Sequence, residues 1–143
     1  MKSYLLSVVV LVVCVPLGSL CRAQTSKDVK DTTYKVCNRM KTEKADKAQI
    51  STLPVACKDR PHSVTLSWKA SASIPPPYKN GEGYNVYRWK QIDGSCGMIK
   101  QAVEATSYVD CGVDAGQTYR YAVTAVQQSH ESDPTNVVEA KIP

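Results

Sequence analysis

The sequence is poorly equipped for chemistry near neutral pH. It holds two histidines, His62 and His130, in 143 residues, and no other ordinary side chain has the pKa of a general base in that range. His62 heads an apolar–polar alternation, and His130 follows the polar stretch Gln127-Gln128-Ser129. Ser67 is near His62 in sequence, but nothing completes a nucleophile–base–acid triad, so both histidines read as solvated surface groups. No close Cys-x-x-Cys pair is present to open a thiolate metal site, which weakens any cluster of Cys37, Cys57 and His62. Asp110, Asp114, Glu131 and Asp133 lack the repeated Asp-x-Asp pattern of a calcium loop and fit turns and strand ends instead. The expectation is no catalytic residue, no metal and no cofactor.

Long apolar runs are also scarce. The longest opens the chain: Lys2 supplies a positive start, residues 4–15 are almost unbroken apolar, Pro16, Gly18 and Ser19 interrupt, and Cys21-Arg22-Ala23 offers a small-x-small cleavage site. About twenty apolar residues are needed to cross a bilayer, so residues 1–23 read as a cleaved signal peptide. Two alternatives are an uncleaved membrane anchor and lipidation at Cys21, although Leu20 stands where lipidation wants a small residue. A mature chain from residue 24 would carry 16 basic and 13 acidic side chains. Nine of those bases and five acids fall in residues 24–61, while residues 62–143 hold seven and eight. The basicity therefore belongs to an N-terminal arm and not to a folded face with stacking aromatics, which excludes a nucleic-acid binder.

What the sequence does contain is period-two alternation. Residues 116–126, GQTYRYAVTAV, place Tyr119, Tyr121, Val123 and Ala125 on one side and Arg120, Ala122 and Thr124 on the other, as a half-buried strand does. Similar alternation runs through residues 64–69, 84–89 and 138–142, with shorter strands expected at 98–103 and 106–111. An irregular edge strand is expected at 50–57, where Pro54 is tolerated. Residues 24–49 form a polar, basic arm; Val36, Met40 and Lys44 would share a helical stripe, but it is thin, and a tether or an irregular arm laid on the domain is preferred. Residues 70–83 and 127–134 are loops rich in Ser, Pro, Gly and polar residues. Seven short strands with no firm helix predict an all-β fold, a seven-stranded antiparallel sandwich over residues 50–143.

With these strands in view, residues 62–143 resemble a fibronectin type III domain, a relative of the immunoglobulin-like sandwiches. The resemblance is carried by SVTLSW at 63–68, GYNVYR at 83–88, TSYVD at 106–110, GQTYRYAVTAV, and the closing TNVVEAKIP. It implies that Trp68 fills the core, that Tyr119 makes a corner hydrogen bond, and that Val113 packs beneath that corner; Tyr84 joins the core by its position in the third strand. No Arg-Gly-Asp tripeptide is present, so the family's best-known adhesion motif does not carry over.

In an exported chain, Cys37, Cys57, Cys96 and Cys111 are expected to form disulfides, and four cysteines allow three pairings. The sandwich order puts Cys96, at the start of the fourth strand, at the same pole as Cys111, at the end of the fifth. The expectation is Cys96–Cys111, with Cys37–Cys57 pinning the arm; the nearest alternative joins Cys57 to Cys111 and Cys37 to Cys96. Pro75-Pro76-Pro77-Tyr78 matches a WW-domain ligand, but those readers are intracellular, and a stiff surface loop explains it better. On the outward face of the central strands, Tyr87, Trp89 and Arg120 have the composition of an interaction hot spot, with packing of Trp89 beneath the arm as the equal alternative. The functional expectation is a secreted or periplasmic non-catalytic module binding a protein or polysaccharide, with membrane contact only through the N-terminal segment. A carbohydrate-binding accessory using Tyr87 and Trp89 is the alternative, and a small hydrolase using His130 with Asp133 or Glu131 the more distant one.

Overall fold

The computed structural model describes residues 26–47, 57, 60–72, 74, 76–79, 81–128 and 130–143. The export segment expected at 1–23 lies outside them, as does the edge strand expected at 50–57 apart from Cys57. Among the described residues there is one helix, α1 (Ser26–Thr42), followed by strands β1 (Asp46–Lys47), β2 (Val64–Ser67), β3 (Gly83–Lys90) and β4 (Cys96–Val103). After these come β5 (Ser107–Asp110), β6 (Thr118–Gln127), β7 (His130–Glu131) and β8 (Val138–Lys141). The strands form two sheets, one ordered β1-β8-β6-β3-β4 with β7 paired to the end of β6, the other β2-β5. The all-β sandwich read from the sequence is thus the observed fold. All pairings are antiparallel except β1 with β8.

The centre of the larger sheet is the pairing of β3 with β6, in unbroken register from Gly83 opposite Val126 to Lys90 opposite Tyr119. Alternation on β6 sends Tyr119, Tyr121 and Val123 into the space between the sheets. There they meet Val64 and Leu66 of β2, Tyr84 and Val86 of β3, and Ala140 of β8. Along β4 the register with β3 slips twice, and Ala102 takes a positive φ of 52°. The Asn85 side chain meets this bulge by accepting a hydrogen bond from the Ala102 amide at 3.1 Å. Gly83 is required at the same place. Its φ is 132°, and a Cβ there would stand 2.7 Å from the carbonyl oxygen of Val103.

Four expectations are corrected. The arm is not an irregular tether: residues 26–42 form a regular helix, because Val36 and Met40, one turn apart, find an apolar face of the sheet to bury against. The stripe does not reach Lys44, since the helix has ended; Ala45 packs there instead. The polar loop at 127–134 contains the two-residue strand β7, which prolongs pairing along the exposed end of β6. Trp68 sits half-buried at the rim of the core, not at its centre. It lies one residue past the end of β2, outside the paired residues that face the core, and packs edge-on against Tyr84 with centroids 5.4 Å apart.

Tyr119 and Val113 stand where the resemblance put them. Both are buried, and the Tyr119 hydroxyl accepts a hydrogen bond from the Asp114 amide at 3.1 Å while donating to the Asp114 carboxylate at 3.2 Å. Replacing Tyr119 with Phe keeps the ring and removes both bonds, leaving the Asp114 amide short of a partner. The expected loss is about 1–2 kcal/mol in urea denaturation with an unchanged m-value. No loss would mean that the corner is held by packing alone.

Candidate functional site

The surface singled out from the sequence is real but occupied. Tyr87, Trp89 and Arg120 do lie together on the outer face of β3 and β6, and α1 lies across them. Tyr87 is 0% exposed, which corrects the expectation that it points into solvent. Together with Val36, Met40, Ala122 and Val137 it forms a second apolar cluster, flanked by Cys37, Ala45, Trp89, Cys96 and Met98. Trp89 is half-buried at the edge of this cluster, with its indole N–H enclosed, so it packs beneath the arm as the alternative reading held. As a result β6 is buried on both faces at Ala122 and Thr124, where one-sided burial was expected.

Arg120 works inward as well. Its guanidinium lies 5.4 Å from the Trp89 ring centre and donates from Nε to Glu139 at 2.9 Å. Through Nη1 it donates to the carbonyls of Met40 at 2.9 Å and Glu43 at 3.3 Å. The last carbonyls of a helix have no intrahelical donors, and a cation at that end also meets the negative pole of the helix dipole. Arg120 therefore caps α1. At the other side of the cluster, Glu131 Oε1 accepts hydrogen bonds from Asn85 Nδ2 at 3.1 Å, from the Tyr87 hydroxyl at 2.6 Å, and from the Thr124 hydroxyl. Burial, and after it the Glu131 contact, push the Tyr87 pKa well above the ordinary tyrosine range, so Tyr87 stays a neutral donor.

The disulfides correct the expected pairing. Cys37 joins Cys96 and Cys57 joins Cys111, with Cα separations of 5.9 and 5.5 Å. The expected pairing treated the arm as local to Cys57. Because α1 crosses the outer face, Cys37 arrives at the first residue of β4, which leaves Cys57 to meet the end of β5.

Several other charged groups hold the sandwich together. Asp110, 4% exposed, accepts from Arg88 at 2.9 Å, from the Tyr121 hydroxyl at 2.9 Å and from the Gly112 amide at 2.8 Å. Burial and the neighbouring Asp110 carboxylate raise the Tyr121 pKa far above its usual range. Lys90 donates to Asp114 at 3.1 Å and lies over the Tyr119 ring. His62 is half-buried at the approach to β2, and His130 is exposed with Nδ1 3.1 Å from the Gln128 carbonyl. Among the described residues, neither is hydrogen-bonded to a nucleophile. Asp133 is exposed in the segment after β7. The described residues contain no cluster of three or more groups able to hold a metal ion. They also contain no helix long and apolar enough to cross a membrane. Tyr78, from the proline-tyrosine motif, packs edge-on against Tyr84 at 6.2 Å and is half-buried, as a stiff loop residue would be.

Strand order, two facing sheets and the tyrosine corner before β6 are those of a fibronectin type III-like sandwich. No family model matches the chain. Over 79 residues, 54% of the chain, it is 42% identical to a poly(3-hydroxybutyrate) depolymerase of Ralstonia pickettii, and it spans 13% of that protein's length. Among solved structures it is similar to an Fn3-like protein from Clostridium thermocellum, at 28% identity over 57% of this chain and 77% of that one, with a TM-score of 0.45. A two-domain fibronectin type III segment of chicken tenascin is 20% identical, over 70% and 49% of the two chains, with a TM-score of 0.45. For the FN5 domain of Drosophila Lar the figures are 17%, 69%, 96% and 0.43.

Two outcomes follow. Asp110→Ala strands the Arg88 charge, the Tyr121 hydroxyl and the Gly112 amide together, and is expected to lower stability by about 3–5 kcal/mol in denaturant titration. A loss below about 1 kcal/mol would show that the cluster is solvated. The second concerns pH. Hydrogen bonds from Lys90 and Tyr119 hold the Asp114 pKa below its usual range, and the Asp114 contact raises that of Lys90. The Asp114 contribution is therefore present above the carboxylate's unfolded pKa and lost as pH falls through the lower folded value. The Lys90 contribution is present below the unfolded lysine pKa and lost as pH rises through the folded one. Thermal midpoints should fall more steeply below about pH 4 in the native chain than in Asp114→Asn. Parallel curves would exclude the linkage.

Proposed function

We propose that this chain is a non-catalytic interaction module working outside the cytoplasm, binding a protein or a polymeric matrix through its sandwich surface. One observation carries the reading: three of the four acids with catalytic potential are engaged in holding the fold. Asp110 is held by Arg88 and Tyr121, Asp114 by Lys90 and Tyr119, and Glu131 by Asn85, Tyr87 and Thr124. Asp110 is buried as well, so its carboxylate has no free path to a substrate. Two disulfides in so short a chain fit an oxidising compartment.

The likeness to the depolymerase supports an accessory role. The matched stretch is a small part of that protein, and nothing in this chain's described residues assembles a nucleophile beside an oriented base. A module of this kind would hold an enzyme to its polymer or space its parts. A sugar-stacking platform of Tyr87 and Trp89 is not retained, because α1 covers Tyr87.

The test incubates the exported protein with poly(3-hydroxybutyrate) granules, with insoluble polysaccharides and with extracellular proteins, and follows both retention and release of hydroxy acid. Retention on one matrix or capture of one protein, with no product released, is the expected result. Ester hydrolysis that disappears in His130→Ala would replace the module with a hydrolase.

A further inference from the structure

We infer that α1 is a covalently latched cover, and that two-electron reduction of Cys37–Cys96 releases it from the sheet while the sandwich stays folded. The inference goes beyond the proposed function and does not depend on it. The first ground is how little holds the helix besides the bridge. Among residues 29–42, whose side chains are described, only Val36 and Met40 are fully buried, while Val29 and Tyr34 are exposed at 38% and 73%. A helix of this length is marginal by itself and owes its order to packing. Its capping bonds, from Arg120 to Met40 and Glu43 and from Arg39 to the Pro134 carbonyl, are at the C-terminal end, and further up the helix Thr33 hydrogen-bonds Tyr87 of the sheet. Cys37 ties the middle of the helix to Cys96, 59 residues away in sequence.

The second ground is what the two bridges leave exposed. Cys37 and Cys96 are both half-buried, whereas in the other pair Cys111 is half-buried but Cys57 is only 9% exposed. An external dithiol in its thiolate form can attack the Cys37–Cys96 bond to give a mixed disulfide with one cysteine and a free thiol on the other. The reagent's second thiol then displaces the first cysteine. The protein ends with two thiols and the reagent as its disulfide, with protons and electrons balanced. The third ground is the face beneath. Tyr87, Trp89 and Met98, with Arg120 at the rim, combine aromatic, methionine and arginine side chains as interaction surfaces do. A released α1 stays at hand, because Asp46 and Lys47, just beyond it, still pair with Val138 and Glu139.

Hydrogen exchange read by mass spectrometry on the full chain, under graded dithiothreitol and with peptide mapping of the thiols, tests this. A Cys37→Ser, Cys96→Ser double variant serves as a second arm. The expected result is that Cys37 and Cys96 become reducible first. Amides of residues 26–42 should then exchange about 10-fold faster or more in both arms while β3 and β6 keep their protection. Trp89 emission should shift to the red at the same step. Three results would overturn the inference: unchanged protection of α1, joint loss of protection in α1, β3 and β6, or earlier reduction of Cys57–Cys111.

Discussion

The eight-residue pairing of β3 with β6 is flanked by β8 on one side and β4 on the other, and it is covered above and below. Two-sided cover is the constraint from which the other features follow. A strand buried on one face needs only alternation, and β6 provides it with Tyr119, Tyr121 and Val123. Burial on the second face requires small or hydrogen-bonded residues there, and β6 provides Ala122 and a Thr124 bonded to Glu131. Arg120, on that same face, would be costly under an apolar cover. It is tolerated because Glu139 and the carbonyls at the end of α1 take up its donors.

The inner face shows the same logic with tyrosines. Tyr119 and Tyr121 bury large rings in the core, yet each hydroxyl reaches a carboxylate at the pole, Asp114 and Asp110 respectively. Those acids are in turn neutralised by Lys90 and Arg88 from the neighbouring β3. The cations also lie over the Tyr119 ring, at 5.3 Å for Arg88 and 5.8 Å for Lys90. One end of the sandwich is thus closed by a single connected network. Its members come from β3, β5, β6 and the turn between the last two, so no short stretch of sequence contains it.

That distribution explains what was legible. The sandwich, six of its strands, the buried Tyr84 and Val113 and the tyrosine corner are written in local periodicity and in spacings of a few residues. The helix was under-read because its own apolar stripe is only Val36 and Met40; its order comes from Cys96, Arg120 and Val137, about 60 to 100 residues away in sequence. The disulfide pairing was misread for the same reason, since it depends on where α1 lands. Tyr87 and Trp89 were correctly grouped on one face. Whether that face meets solvent or a helix is a tertiary fact that alternation does not encode.

A sheet face rich in aromatic and arginine side chains, and a helix fitted over it, change how the candidate surface should be judged. Exposed, Tyr87 would leave a hydroxyl to water and a ring to any passing apolar group. Under α1 the ring is packed and the hydroxyl given to Glu131, so the docked state satisfies every polar group that the bare face would need to solvate. The Trp89 indole N–H is the exception: it is enclosed without a partner. An enclosed, unpaired donor is a cost carried by the folded state, because water satisfies it in the unfolded chain. The cover and the sheet are therefore complementary but not fully matched, and the mismatch lies at the end of β3, one strand away from Cys96, where the bridge ties the helix down.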